Sequence, residues 1–185
     1  MGLTLSSSRS SLLEPVRKNR FVIQFDSVPG NEHNAKASEN LAFACKSSDI
    51  PNFTVNKSEH MRFHERFKVA NRPEFNDLNI VFYDYVNAAE AGSESVGQIL
   101  YNWYTNIYDP LTGQMHYKKH YSTNSILAQL DPAGAIFRMW NIFYIWPTEV
   151  KFGDGLDAES DDLMQLEATF TYDFALKSRD TDPSQ

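Results

Sequence analysis

Residues Met164 to Phe174 alternate without a break. Met164, Leu166, Ala168, Phe170, Tyr172 and Phe174 are apolar, and Gln165, Glu167, Thr169, Thr171 and Asp173 between them are polar. Period two sustained over eleven residues is the signature of a half-buried strand. Such a strand needs a hydrogen-bonded neighbour and a core beneath its greasy face. Just upstream, the aromatic run Phe137 to Ile145 leads into Trp146-Pro147-Thr148, and a loop carrying Asp154, Asp157, Glu159, Asp161 and Asp162 separates the two. This last quarter reads as part of a structural β-protein and supplies no catalytic constellation.

The rest of the chain agrees. With 185 residues it can bury one sizeable core. An aromatic fraction of 14%, with 13 Phe and 9 Tyr, tilts the reading toward strands and toward assembly. Arg20 to Asp26 is expected to be a strand with Phe21, Ile23 and Phe25 on one face, and residues 31–40 a polar loop. Leu41 to Lys46 is expected to be a second strand, and Leu78 to Tyr83 a core strand. Between them, residues 52–76 alternate loosely between apolar and basic side chains, which predicts a long β-hairpin arm turning near Glu59 to Met61. One helix is convincing: Ser95 and Gln98 form a capping box, and Val96, Ile99, Leu100, Trp103 and Ile107 share one face, so it spans Val96 to Ile107. Thr112 to Thr123 is expected to be irregular. Ser125 to Leu130 and Ile136 to Tyr144 are strands joined by a turn at Asp131-Pro132-Ala133-Gly134. The second is apolar on both faces and belongs centrally in the sheet or under the helix. About seven to nine strands and a single helix result. Residues 1–19 are expected to form a flexible arm, 20–176 one β domain and 177–185 a polar tail.

Catalytic and metal chemistry find little to stand on. His60 and His64, and His116 and His120, are four apart, but neither pair lies in a credible helix. The acidic loop lacks the spacing of a calcium-binding EF-hand. No nucleophile elbow, phosphate-cradling glycine loop or zinc-protease motif is present, so no enzyme, cofactor or metal is expected. Cys45 is the lone cysteine and reads as a small buried hydrophobe. No apolar run is long enough to span a bilayer, and the N-terminus is polar; a reducing, soluble compartment is the expectation.

Charge is segregated. Residues 149–185 hold three basic and ten acidic side chains, and so the whole net charge of −7. Residues 57–72 hold Lys57, Arg62, Arg66, Lys68 and Arg72 against Glu59 and Glu65. These five cations are candidates for an inter-subunit arm. The candidates for its acidic partner are Asp154, Asp157, Glu159, Asp161 and Asp162, with Glu167 and Asp173 on the alternating strand. An acidic surface disfavours a nucleic-acid-gripping role.

The order of these segments is itself informative. Cys45-Lys46 is followed by Ile50-Pro51, then by a basic hairpin ending Phe67-Lys68-Val69-Ala70. Phe75-Asn76-Asp77 leads into the strand with Tyr83-Asp84; a capped helix with a Trp, Trp146-Pro147-Thr148 and a final strand reaching Tyr172-Asp173 complete the series. Over roughly residues 18–176 this resembles the tail tube protein family of contractile-tailed bacteriophages, the T-even type. The resemblance implies a mainly β, antiparallel β-sandwich or half-barrel protomer with one flanking helix and a long hairpin arm. Six protomers would join their sheets into a ring β-barrel around a channel, and rings would stack through the hairpin, which would make its five cations inter-ring residues and the acidic set either their partner or a channel-facing surface. It further implies a place in the virion tail after assembly in the host cytoplasm. The implied partners are other copies of the chain, the tail sheath protein, baseplate and tail-terminator proteins, and, in the lumen, a tape measure protein and genomic DNA passing without specific binding. Two neighbouring readings are the tube of another contractile injection system and a baseplate tube initiator. A reading from a different class is a β-sandwich module that binds carbohydrate or a host receptor.

Overall fold

A computed structural model describes residues 16–34, 36–85, 94–153 and 155–178. The main sheet is antiparallel and runs β1 (Phe21–Phe25), β8 (Thr123–Leu130), β9 (Ile136–Lys151), β10 (Gln165–Thr171), β5 (Leu78–Tyr83), β2 (Cys45–Ser48). A further strand, β11 (Phe174–Lys177), pairs with β9 beside β10. Strand β9 is the hinge of this architecture. Its residues 140–143 pair with β11, and its residues 146–151 with β10. Between the two stretches Tyr144 takes a φ of +56°, and the register with β8 slips. One strand thereby serves two layers, a bend of the kind that bulges produce. At the two ends of the path, β1 and β2 do not pair with each other, so the barrel stays open.

Between the layers lies a core centred on three aromatic rings from three elements. Phe25 of β1 meets Trp103 edge-on at 5.5 Å, and Phe170 of β10 lies 5.7 Å from Phe25 and 5.6 Å from Trp103. All three are fully buried, each contributing about 1.5–3 kcal/mol of apolar transfer. Trp103 belongs to α2 (Val96–Ile107), whose boundaries match the expected helix. Ser95 Oγ accepts the Gln98 N–H at 3.2 Å, while the Gln98 side chain reaches forward to Asn102 and leaves the capping box half made. The indole N–H of Trp103 donates to Tyr121 O at 2.8 Å, which satisfies its one polar atom.

The loop before the first helix is locked onto α2 by amides. Buried Asn31 donates to Ile99 O at 3.0 Å and accepts from Asn102, which also donates to Glu94 at 3.0 Å. Gly30 sits at φ +80° with no room for a side chain, since a Cβ there would lie 2.5 Å from Asn102 O.

Four expectations need correction. Leu41 to Ala44 is not strand: α1 (Ala37–Ala44) precedes β2 and takes in the end of the expected loop. Ala37, Leu41 and Ala44 are buried at helical spacing while Phe43 is 83% exposed, the reverse of what a strand would bury. Short apolar runs do not distinguish the two periods, and the alanines favour helix. The arm turns at Phe63–His64, three residues later than expected. The alternating strand breaks at Tyr172–Asp173, because β9 changes layer at Tyr144 and its partner must follow. Phe174 leaves the core and stacks on Phe143 at 4.6 Å. Finally, the segment after α2 is ordered by β6 (Tyr108–Asp109), β7 (Gln114–Met115) and the single-turn α3 (Lys118–Tyr121). Eleven strands and three helices thus stand among the described residues.

Candidate assembly surfaces

The arm consists of β3 (Phe53–Arg62) and β4 (Glu65–Phe75), which among the described residues pair with each other and with no other strand. Ten residues of strand give it a reach of about 30 Å. Nearly every side chain along it is solvent-exposed. Its root is held firmly. Asn52 O accepts both the Asn76 N–H at 3.2 Å and the Tyr172 hydroxyl at 3.3 Å, and the two asparagine side chains hydrogen-bond. Phe75 packs between Phe53 at 6.0 Å and Tyr172 at 5.8 Å. Burial pushes the Tyr172 hydroxyl above its ordinary range.

Beyond the root, a bulge between the Val55–Pro73 and Lys57–Ala70 pairs lets the ladder accommodate Pro73, which has no N–H to give. The register then sorts the side chains. Glu59 lies opposite Lys68, and Met61 opposite Arg66. Three cations surround the Glu59 carboxylate on that face: Lys57 at 3.7 Å, Arg66 at 3.4 Å and Lys68 at 3.8 Å. The face keeps a surplus of positive charge. The other face pairs His60 with Phe67, rings stacked at 5.7 Å, and Ser58 with Val69. Of the five cations expected to act together, the fold gathers these three. Arg62 stands beside the tip and Arg72 at the bulge. At the tip itself, Phe63 is 89% exposed with a φ of +57°.

The acidic candidates fall in three separate places. Asp157, Glu159, Asp161 and Asp162 lie in the loop between β9 and β10; Asp154 of the same loop is outside the described residues. Local bonds shape this loop: Asp157 accepts the Glu159 N–H at 3.0 Å, and Ser160 donates to Asp162 at 3.1 Å. Leu156 and Leu163 are 92% and 67% exposed within it. Glu167 belongs instead to the polar outer face of the sheet, where it meets Lys151 at 3.3 Å. Thr169 donates to Asn79 at 2.9 Å on that face, and Lys46 reaches Gln165 at 2.6 Å while lying over the Tyr83 ring. Asp173 sits at the β10–β11 break and pairs with Lys118.

Neither histidine pair gathers ligands: among the described residues no group of three or more His, Cys, Asp or Glu could hold a metal ion. Cys45 is half-buried, and burial pushes its thiol up to about 12, which keeps it protonated and unreactive. No helix among the described residues is long and apolar enough to cross a membrane. The exposed Phe63, Leu156 and Leu163 had no sequence signal of their own, since loop leucines and turn aromatics look like ordinary core residues until the fold turns them outward.

Comparison with known proteins places this architecture. Residues 16–174 match the phage tail tube protein family. No curated protein matches the sequence. Among solved structures, a chain of the anti-feeding prophage cap, a tube-terminating cap, aligns with a TM-score of 0.63 at 15% identity, covering 96% of this chain and 99% of that one. A chain of the sheath/tube terminator of the extracellular contractile injection system PVC gives 0.62 at 15%, covering 90% and 99%. One from the PVC sheath–tube complex in the extended state gives 0.62 at 16%, covering 95% and 99%. These likenesses establish the shared fold, and the open antiparallel half-barrel described above is that fold. With the family match spanning the arm, the helix and every strand of the main sheet but the last, the chain belongs to the phage tail tube protein family, a family of structural tail components and not of enzymes.

Proposed function

We propose that this chain is the repeating subunit of a contractile phage tail tube, six copies closing into a ring and rings stacking into the channel through which the genome leaves. The observation that carries this reading is the arm. A rigidly rooted hairpin with exposed Phe63, Phe67 and Val69 has no purpose in a monomer and is a hazard to one. Among the described residues no strand covers the outer edges of β1 and β2, which points the same way, because a ring that continues the sheet from copy to copy removes both edges. Sheath, baseplate and terminator proteins would then be its partners in the tail, with a tape measure protein and DNA inside.

The outer face of the β9–β10–β5–β2 layer fits the channel wall. It is polar, and Lys46 and Lys151 balance Glu149 and Glu167 across it. A wall without surplus positive charge gives the phosphate backbone nothing to hold. Five carboxylates of the acidic C-terminal part, Asp154, Asp157, Glu159, Asp161 and Asp162, belong to the β9–β10 loop beside it.

The test is assembly of the purified protein. Reversing Lys57, Arg62 and Arg66 to Glu is expected to block stacking while leaving the melting temperature of the subunit unchanged, and stacking of the unaltered chain should weaken as salt rises. Unchanged assembly of the triple variant would contradict the role given to the arm. A second reading, a terminator or baseplate initiator of the tube, rests on the equal likeness to chains from cap, terminator, baseplate and sheath–tube assemblies. It predicts single rings that do not elongate.

A further inference from the structure

The register of β5 and β10 puts the two unusual surfaces of this chain at opposite ends. Leu78 pairs with Phe170 at the end where the arm is rooted, through Phe75, Asn76 and Asn52. Tyr83 pairs with Gln165 at the other end, where Asp84 N–H donates to Met164 O and the acidic loop begins. The arm therefore leaves the sheet at the end remote from the loop.

Each surface has what the other lacks. The arm ends in Met61, 72% exposed, and Phe63, flanked by Arg62 and Arg66. The loop shows Leu156 and Leu163 among Asp157, Glu159, Asp161 and Asp162, with no basic residue between 152 and 164. Phe63 takes its positive φ as the first residue of the two-residue tip turn, which leaves its ring standing in solvent. Complementary patches at opposite ends of one molecule make a heterologous, head-to-tail contact, and such a contact propagates instead of closing on itself.

We propose that the arm tip of one copy docks on the β9–β10 loop of a second copy, with Phe63 and Met61 against Leu156 and Leu163 and the arm cations against the loop carboxylates. This rests on the reading of the chain as a tube subunit, and it names the surface that receives the arm and gives the stack its polarity.

A charge exchange tests it in the full chain. The arm variant K57E/R66E/K68E and the loop variant D157K/E159K/D161K/D162K are each expected to cut the pelletable, stacked fraction by about tenfold or more. Both sets in one chain should restore it toward the unaltered level. Stacking by the unaltered chain without rescue in the combined variant would overturn this contact and leave the tube reading standing. An unaltered chain that never stacks would overturn both. A second measurement does not depend on charge. In a Cys45→Ser background with Phe63→Cys and Leu156→Cys, a short bismaleimide is expected to give a ladder of dimers, trimers and longer chains; monomer alone under stacking conditions would overturn the contact.

Discussion

Single residues carry much of the arm's geometry. Tyr172 is where the alternating strand stops, and its hydroxyl holds Asn52 O together with the Asn76 N–H. Removing that hydroxyl in Tyr172→Phe should lower stability by about 0.5–1.5 kcal/mol, the usual net worth of one hydrogen bond. Hydrogen exchange of the arm amides should rise more than that of the core; equal change in both would mean that Tyr172 does not hold the root. At the other end of the arm, Phe63→Gly removes an unfavourable φ of roughly 1–2 kcal/mol and exposes no new surface. The subunit should melt no lower, while stacking falls. Glu94 supplies a pH signature. Partial burial raises its carboxyl, but hydrogen bonds from His33, Asn34 and Asn102 outweigh that and hold it below its ordinary value of 4.5. With the folded value below the unfolded one, its stabilisation is complete above the unfolded value and is lost as pH falls through the folded one. Thermal melts taken downward from about pH 5 should therefore show a steeper decline for the natural chain than for Glu94→Gln.

Elements whose burial follows their own periodicity were legible in the sequence, and those set by a neighbour were not. Helix α2 was readable to the residue, because its cap and its five-residue stripe belong to it alone. Strands β1 and β5 were readable for the same reason. The expected 41–46 strand held at Cys45 and Lys46 but failed over 41–44, because the apolar run Leu41 to Cys45 satisfies either period; packing of Ala37 and Leu41 against the core decided it. Strand β10 failed only at its end, where the bend of β9 at Tyr144 imposes a break that nothing local announces. The arm was visible as a basic hairpin, but its turn lies at Phe63–His64 because the ladder is counted from the Asn52–Asn76 root, with no Asn-Gly signal at the tip. The candidate site was half visible. Lys57, Arg66 and Lys68 do converge, whereas Glu167 and Asp173 are separated from the acidic loop by the same alternation that made them noticeable. Seating of α2 is the element-scale prediction: Gly30→Ala would force a Cβ against Asn102 O at a positive φ. It should destabilise the subunit by about 1–3 kcal/mol in a denaturant melt.

As a whole molecule the chain is an open half-barrel with a sticky arm at one end of its sheet and an acid-rimmed loop at the other. Lateral closure would use the edges β1 and β2, and axial growth would use the arm and loop, so the two kinds of contact are separable by mutation. In the proposed tube, the balance of charge over the outer sheet face would make a neutral wall, and the excess in the β9–β10 loop a charged join. Cryo-electron microscopy of the purified protein decides whether the chain builds a tube. Hollow rings of six subunits are expected, stacked into tubes with their arms crossing each ring junction. Dispersed monomers at every concentration and salt condition tried would contradict the tube reading.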